Sequence, residues 1–327
     1  MQRRDFITIL GGTAAIWPFG VRAQKPSRPA RLGILIPSAR EMPAVIAFFD
    51  ELRLASFVEG ENLTVIPGGF GGRSEQINEL AKAIVMAEPD AIVCGPELPI
   101  RALQAATRTI PLIGMAEDLV GLGLAKSLAH PGGNTTGVSL LSPELDEKRQ
   151  DILTDAAPGA RRMAMLVDSN VARPAHLEAL QAAGHRRGVE LSAFGVSRPG
   201  EIAAAIHAAK VSGAEAINFL ATPLFSLPGS PDNRLVLEAV AAARLPAIFQ
   251  WPETAEDGGL VAYGPRFAQV YRQRARQVVK VLRGAKVSDL PIEQPTNFEL
   301  VINLQAAKAI GHEVPAGLVL RADRVVE

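Results

Sequence analysis

Short apolar runs alternate with helical stretches twice along this chain, and that doubled series constrains the fold more than any other feature. The run Leu32-Gly-Ile-Leu-Ile36 opens the first series. A continuous apolar run of this kind fits a strand covered on both faces, as in a parallel sheet. Val45, Phe48, Phe49 and Leu52 then recur at helical spacing, with Gly60 as the stop signal. Further strands are predicted at 63–66, 91–94 and 110–114. Helices are predicted over 75–87, with Ser74 in the N-cap position, and over 100–107. The series restarts with a strand at 163–167, then helix 174–187, strand 189–196, helix 201–211, strand 216–220, helix 233–243 and strand 246–249. Two such series imply an α/β fold of two doubly wound lobes with parallel sheets. Ligands of such sheets sit beyond the carboxyl ends of the strands, so facing lobes place those ends on both walls of a cleft.

The rest of the chain divides around this core. A helix is predicted over 267–282, and between Arg266 and Lys286 there are seven basic and no acidic residues, the pattern of a solvated basic face. A strand at 298–302 and a helix ending near Gly311 follow. The expected division is 31–141 with about 266–288 in the N-terminal lobe and 142–265 in the C-terminal lobe, while 289–327 show no assigning pattern. At the other end, Arg3 and Arg4 precede an apolar run from Phe6 to Phe19, and Val21-Arg22-Ala23 offers the small residues a signal peptidase reads. That run falls short of the ~20 residues that span a bilayer. Residues 1–23 are therefore expected to be a cleavable signal peptide, 24–30 a tether, and the mature chain periplasmic. The paired arginines also fit a twin-arginine export signal.

Composition and motifs exclude most chemistry. Lysine plus arginine number 34 and aspartate plus glutamate 34, so the chain lacks the basic excess that nucleic-acid binding needs. Its single cysteine, Cys94, and five unclustered histidines offer no metal-ligand pattern. Pro67-Gly-Gly-Phe-Gly-Gly-Arg-Ser74 is glycine-rich but has no lysine where a P-loop requires one, and it misses the dinucleotide register. There is no Gly-x-Ser-x-Gly elbow. Glu117-Asp118 forms a carboxylate pair after the fourth strand, suited to acid–base work, a ligand ammonium or helix capping. No catalytic set assembles, and no cofactor or metal is expected.

Several blocks carry a resemblance. They are Ala105-Ala-Thr-Arg-Thr-Ile-Pro-Leu112, Asp118-Leu-Val-Gly-Leu-Gly-Leu124 and Ala129-His-Pro-Gly-Gly-Asn-Thr-Thr-Gly137. Gly258-Gly-Leu-Val-Ala-Tyr-Gly-Pro265, Leu290-Pro-Ile-Glu-Gln-Pro-Thr-Asn-Phe-Glu-Leu-Val-Ile-Asn303 and Arg321-Ala-Asp-Arg-Val-Val-Glu327 complete the set. Together they resemble the ABC-transporter substrate-binding protein family of the type I periplasmic-binding fold, whose members include tryptophan and aromatic amino-acid uptake proteins. The chain departs from the family where ligand should sit. Gly95-Pro-Glu97 replaces Gly-Thr-Pro, Asp118-Leu119 replaces Asp-Pro, Asp168-Ser169 replaces Asn-Pro, and Thr222 stands where an acid is frequent.

The resemblance implies a monomeric binding protein that closes on a small ligand, an amino acid or small carboxylate, and delivers it to an inner-membrane ABC permease. A ligand-sensing module for a signalling receptor is the alternative. Strand-end geometry selects Ser38, Glu97, Asp118, Asp168, Thr222 and Trp251 as ligand-binding residues. In this expectation Ser38 orients a carboxylate, an acid holds an ammonium, and Trp251 stacks on an apolar or aromatic ligand.

Overall fold

The computed structural model describes residues 28–71, 74–225 and 227–327; the expected signal peptide and most of the tether lie outside the described residues. Five parallel strands form the first sheet: β1 (Ala30–Leu35), β2 (Leu63–Val65), β3 (Ala91–Cys94), β4 (Leu112–Ala116) and β5 (Thr135–Ser139), in the order β2-β1-β3-β4-β5. Helices α1 (Pro43–Leu54), α2 (Ile77–Met86) and α3 (Glu97–Ala106) connect its first four strands. The continuous apolar run of β1 is explained by cover on both faces. Leu32 and Ile34 pack with Val45, Phe48 and Leu52 of α1, and Leu35 packs with Ile77, Ala81 and Ile84 of α2. The expected helix over 75–87 opens with a short 3-10 turn at Ser74–Gln76, and α2 begins at Ile77. Gly69 lies against β1 so closely that a Cβ there would fall 1.4 Å from the Ile34 carbonyl oxygen.

Helix α4 (Ser142–Ala156) carries the chain into a second sheet. Its first half comprises β6 (Arg162–Asp168), α5 (Pro174–Arg186), β7 (Glu190–Val196), α6 (Ile202–Val211), β8 (Ala216–Phe219), α7 (Pro231–Ala243) and β9 (Ala247–Phe249). The short α8 (Pro252–Glu256) leads to β10 (Val261–Gly264), and α9 (Phe267–Leu282) returns to the first sheet, where it packs beside α1 and under β3, β4 and β5. The tail divides. Residues near Glu293 pair with β5, whereas β11 (Glu299–Asn303), α10 (Leu304–Ile310), α11 (Ala316–Val319) and β12 (Arg324–Val326) complete the seven-stranded second sheet, ordered β12-β11-β10-β9-β8-β6-β7. The β10–β11 pair is antiparallel, so this sheet is mixed rather than wholly parallel as the apolar runs suggest.

Among the described residues the chain passes between the sheets three times, at 139–142, 264–267 and 293–299. Leu141, at the first crossing, has φ 56° and ψ 34°, a left-handed conformation that costs a residue with a Cβ about 1–2 kcal/mol. Trp251 belongs to the chain of the second lobe but sits 3% exposed in the apolar cluster of the first, its ring 4.6 Å from that of Phe267. The indole thus plugs the junction between lobes.

The basic stretch of α9 is largely accounted for by local partners. Arg266 pairs with Glu256 and Glu299, Arg276 with Glu51, and Lys280 with Glu293. Arg274 is fully buried and donates to the Cys94 carbonyl at 2.7 Å. The helix is an internal strut of the first lobe more than a basic surface.

Candidate functional site

A cleft with about 710 Å³ of empty space, its mouth included, lies where the carboxyl ends of β4, β6 and β8 face each other. The first sheet contributes Glu97, at the start of α3, and Glu117 and Asp118, just after β4. The second contributes Asp168, Arg173, His176 and Thr222, and α4 presents Ser142 and Asp146 between them. Four of the six expected residues, Glu97, Asp118, Asp168 and Thr222, therefore share one cleft. Ser38 and Trp251 line a smaller adjoining void with Phe267 and Tyr271, and Glu117 borders both spaces.

Hydrogen bonding separates the acids by what they already hold. Asp118 accepts the backbone N–H groups of Val120 at 3.2 Å and Gly121 at 2.9 Å, an Asx turn that caps the loop after β4. Asp168 accepts from the Thr222 hydroxyl at 2.9 Å and from the backbone and side-chain N–H groups of Asn170, so these two expected residues are partners of each other. Glu97 accepts from Arg101 one helical turn on, at 2.7 Å, and reaches across the cleft to Arg173 at 3.8 Å. Asp146 is held by Arg149 at 2.5 Å and by His176 Nε2 at 3.0 Å. Glu117 differs. Its carboxyl has no side-chain partner among the described residues and bonds only its own backbone N–H; burial, reinforced by Glu97 and Asp146 and opposed by that N–H and by Arg173, pushes its pKa up to about 7.

Ser38 and Trp251 have structural partners. The Ser38 hydroxyl lies fully buried, 2.8 Å from the Tyr271 hydroxyl, and ties β1 to α9. The Trp251 ring is committed to Phe267, so its packing explains its burial without a stacked ligand. Cys94 is a core thiol as its strand setting suggests: burial pushes its pKa up to about 12, which leaves it protonated.

Sequence reasoning missed Glu117 as the unpartnered acid, together with Asp146, Arg149, Arg173 and His176. The pair Glu117-Asp118 was visible, but which of two adjacent acids faces the cleft depends on strand register and turn geometry. Asp146 and Arg149 lie on a helix that the apolar pattern did not reveal, because α4 turns a polar face inward: Asp146, Arg149 and Gln150 are all buried.

The family model for ABC transporter substrate binding proteins matches residues 55–326. The chain belongs to this family. A curated relative, a tyrosine-binding protein of Clostridioides difficile (strain R20291), is 23% identical over 80% of this chain and 75% of its own. Among solved structures, the chain is similar to a substrate-binding domain from Streptococcus pneumonia in complex with L-Trp, with TM-score 0.78 and 21% identity over 91% of this chain and 100% of that one. A conserved domain protein from Vibrio cholerae gives TM-score 0.77 at 24% identity, again over 91% of this chain and 100% of that one. These likenesses establish the two-lobed type I periplasmic-binding fold. A ligand-free, open substrate-binding protein from Clostridium difficile is less similar, with TM-score 0.62 at 22% identity over 91% and 99% of the chains.

Proposed function

We propose that this substrate-binding protein captures an amino acid between its lobes in the periplasm and presents the closed complex to an ABC permease, acting by binding and not by catalysis. The observation that carries the reading is the Glu117 carboxyl, without a side-chain partner among the described residues, in a cleft walled by both lobes. A half-buried carboxyl without a counter-charge of its own is where a ligand ammonium gains most, since a charge-assisted hydrogen bond contributes about 1.5–3 kcal/mol. The acids of the cleft favour an amine-bearing ligand over a simple carboxylate. The names of the C. difficile and S. pneumonia relatives, which bind tyrosine and tryptophan, support an amino acid as the ligand class.

Function then follows from population shift. Ligand that touches Glu97, Glu117 or Asp118 on one side and Asp168, Arg173 or His176 on the other makes its full set of contacts only when the lobes are together. The greater likeness to the L-Trp complex than to the ligand-free, open structure supports reading the described arrangement as closed. A thermal-shift screen of the mature protein against the amino acids tests the proposal. A ligand at 100 times its Kd adds about 2.7 kcal/mol of stability, a readily measured shift. Absence of any shift across the twenty amino acids at millimolar concentration overturns it.

A further inference from the structure

We infer that the cleft selects an aliphatic amino acid of net positive charge, one that carries a second cationic group on its side chain. This rests on the amino-acid reading above and narrows it. The first ground is the charge that faces the ligand. Five carboxyls line the cleft, Glu97, Glu117, Asp118, Asp146 and Asp168, against Arg173 and His176. Behind the wall, Arg101 offsets Glu97 and Arg149 offsets Asp146. Asp118 and Asp168 are held only by neutral donors, which stabilise a carboxylate without cancelling its charge. Counting Arg101 and Arg149 with the lining groups leaves five acids against three guanidiniums and one imidazole. With Glu117 ionised, as at pH 8, the excess is negative. It is also spread over both lobes: Glu117 and Asp118 follow β4, and Asp168 ends β6.

The second ground is the apolar part of the wall. Leu122, Val167, Val171, Leu177 and Leu220 are aliphatic, and no Phe, Tyr or Trp lines this space among the described residues. The methylene stem of a basic side chain suits such a wall, whereas an aromatic ligand meets no phenyl, phenol or indole ring there. The third ground is Ser142. It is 3% exposed, its hydroxyl has no hydrogen-bond partner among the described residues, and it lines the cleft at the first turn of α4. Its backbone N–H donates to the Glu117 carbonyl at 3.1 Å, which holds the two residues side by side on the cleft wall. Hydroxyl, helix N-terminus and carboxyl together offer a donor for a ligand carboxylate beside an acceptor for its α-ammonium. The remaining negative charge of Asp118 and Asp168 is then available to the second cation.

Calorimetry on the wild-type mature protein decides the matter with four probes: L-lysine, Nε-acetyl-L-lysine, L-leucine and L-glutamate, titrated at pH 8. The expected order places lysine at least tenfold tighter than acetyl-lysine or leucine, with glutamate the weakest. Acetylation keeps the stem and removes the charge, so equal affinity for lysine and its acetylated form overturns the inference. Tighter binding of leucine, or of L-tyrosine added as a fifth probe, overturns it while leaving the amino-acid reading in place. Failure of every probe, repeated across all twenty amino acids, counts against the amino-acid reading itself.

Discussion

At the end of β4 two neighbouring acids divide the work, and their environments predict opposite phenotypes. Asp118 caps its own loop, so Asp118→Ala is expected to cost about 1 kcal/mol of stability, measurable by urea denaturation, while Asp118→Asn retains most of it because the amide oxygen still accepts. Glu117 has no side-chain partner among the described residues, and its pKa of about 7 lies above the usual carboxylate range near 4.3. Between those values the folded protein keeps a proton that the unfolded chain has released, so this group lowers stability as pH rises from about 4 to 7. Glu117→Gln is therefore expected to stabilise the ligand-free protein at pH 8, by up to about 3 kcal/mol, and to change little at pH 4. The same substitution should weaken amino-acid binding 10- to 100-fold. Binding an ammonium also favours the ionised carboxyl, so capture at pH 6 should release a proton, and affinity should rise toward pH 8. Calorimetry in buffers of different ionisation enthalpy reads that proton directly. Glu97, Asp118, Asp146, Asp168, Arg173 and His176 face the same space, and the comparison with Glu117→Gln isolates the contribution of Glu117 from theirs.

Elements were legible in proportion to how apolar their buried sides are. The strands β1, β3 and β6 stand out by their apolar runs because helices cover both faces of each sheet. Strand β5 does not, although all five of its residues are buried: Thr135, Thr136, Gly137 and Ser139 have no hydrophobic signature. Helix α4 was obscured for a related reason, since its inward face mixes Asp146, Arg149 and Gln150 with Leu145, Ile152 and Leu153. A site that must hold charge breaks the apolar pattern by which elements are read, so part of the site lay in a segment that pattern could not see. The glycine-rich segment after β2 carries no phosphate-cradle motif, but how tightly its described part approaches β1 required coordinates. Gly69→Ala drives a Cβ into the Ile34 backbone, and it is expected to cost more than about 4 kcal/mol or to abolish folding, as read by circular dichroism and yield.

For the whole molecule, the contacts that cross the cleft are few and weak. Arg173 meets Glu97 at 3.8 Å with its side chain 43% exposed, and exposed pairs contribute about 0–1 kcal/mol. Such a bond does not hold the lobes shut alone, so closure is left to the ligand. Arg173→Gln should accordingly change ligand-free stability by less than about 1 kcal/mol in denaturant titration. The buried plug at the junction carries a further consequence. The sequence contains two tryptophans, Trp17 and Trp251, the first within the expected signal peptide. A chain cleaved after Ala23 has a single strong ultraviolet emitter, seated in the aromatic cluster at the junction of the lobes. Any swing of the lobes alters the polarity and quenching around that indole. Opening and closing are thus written into the protein's own fluorescence spectrum, and stopped-flow mixing with ligand yields the rate of closure without an attached dye.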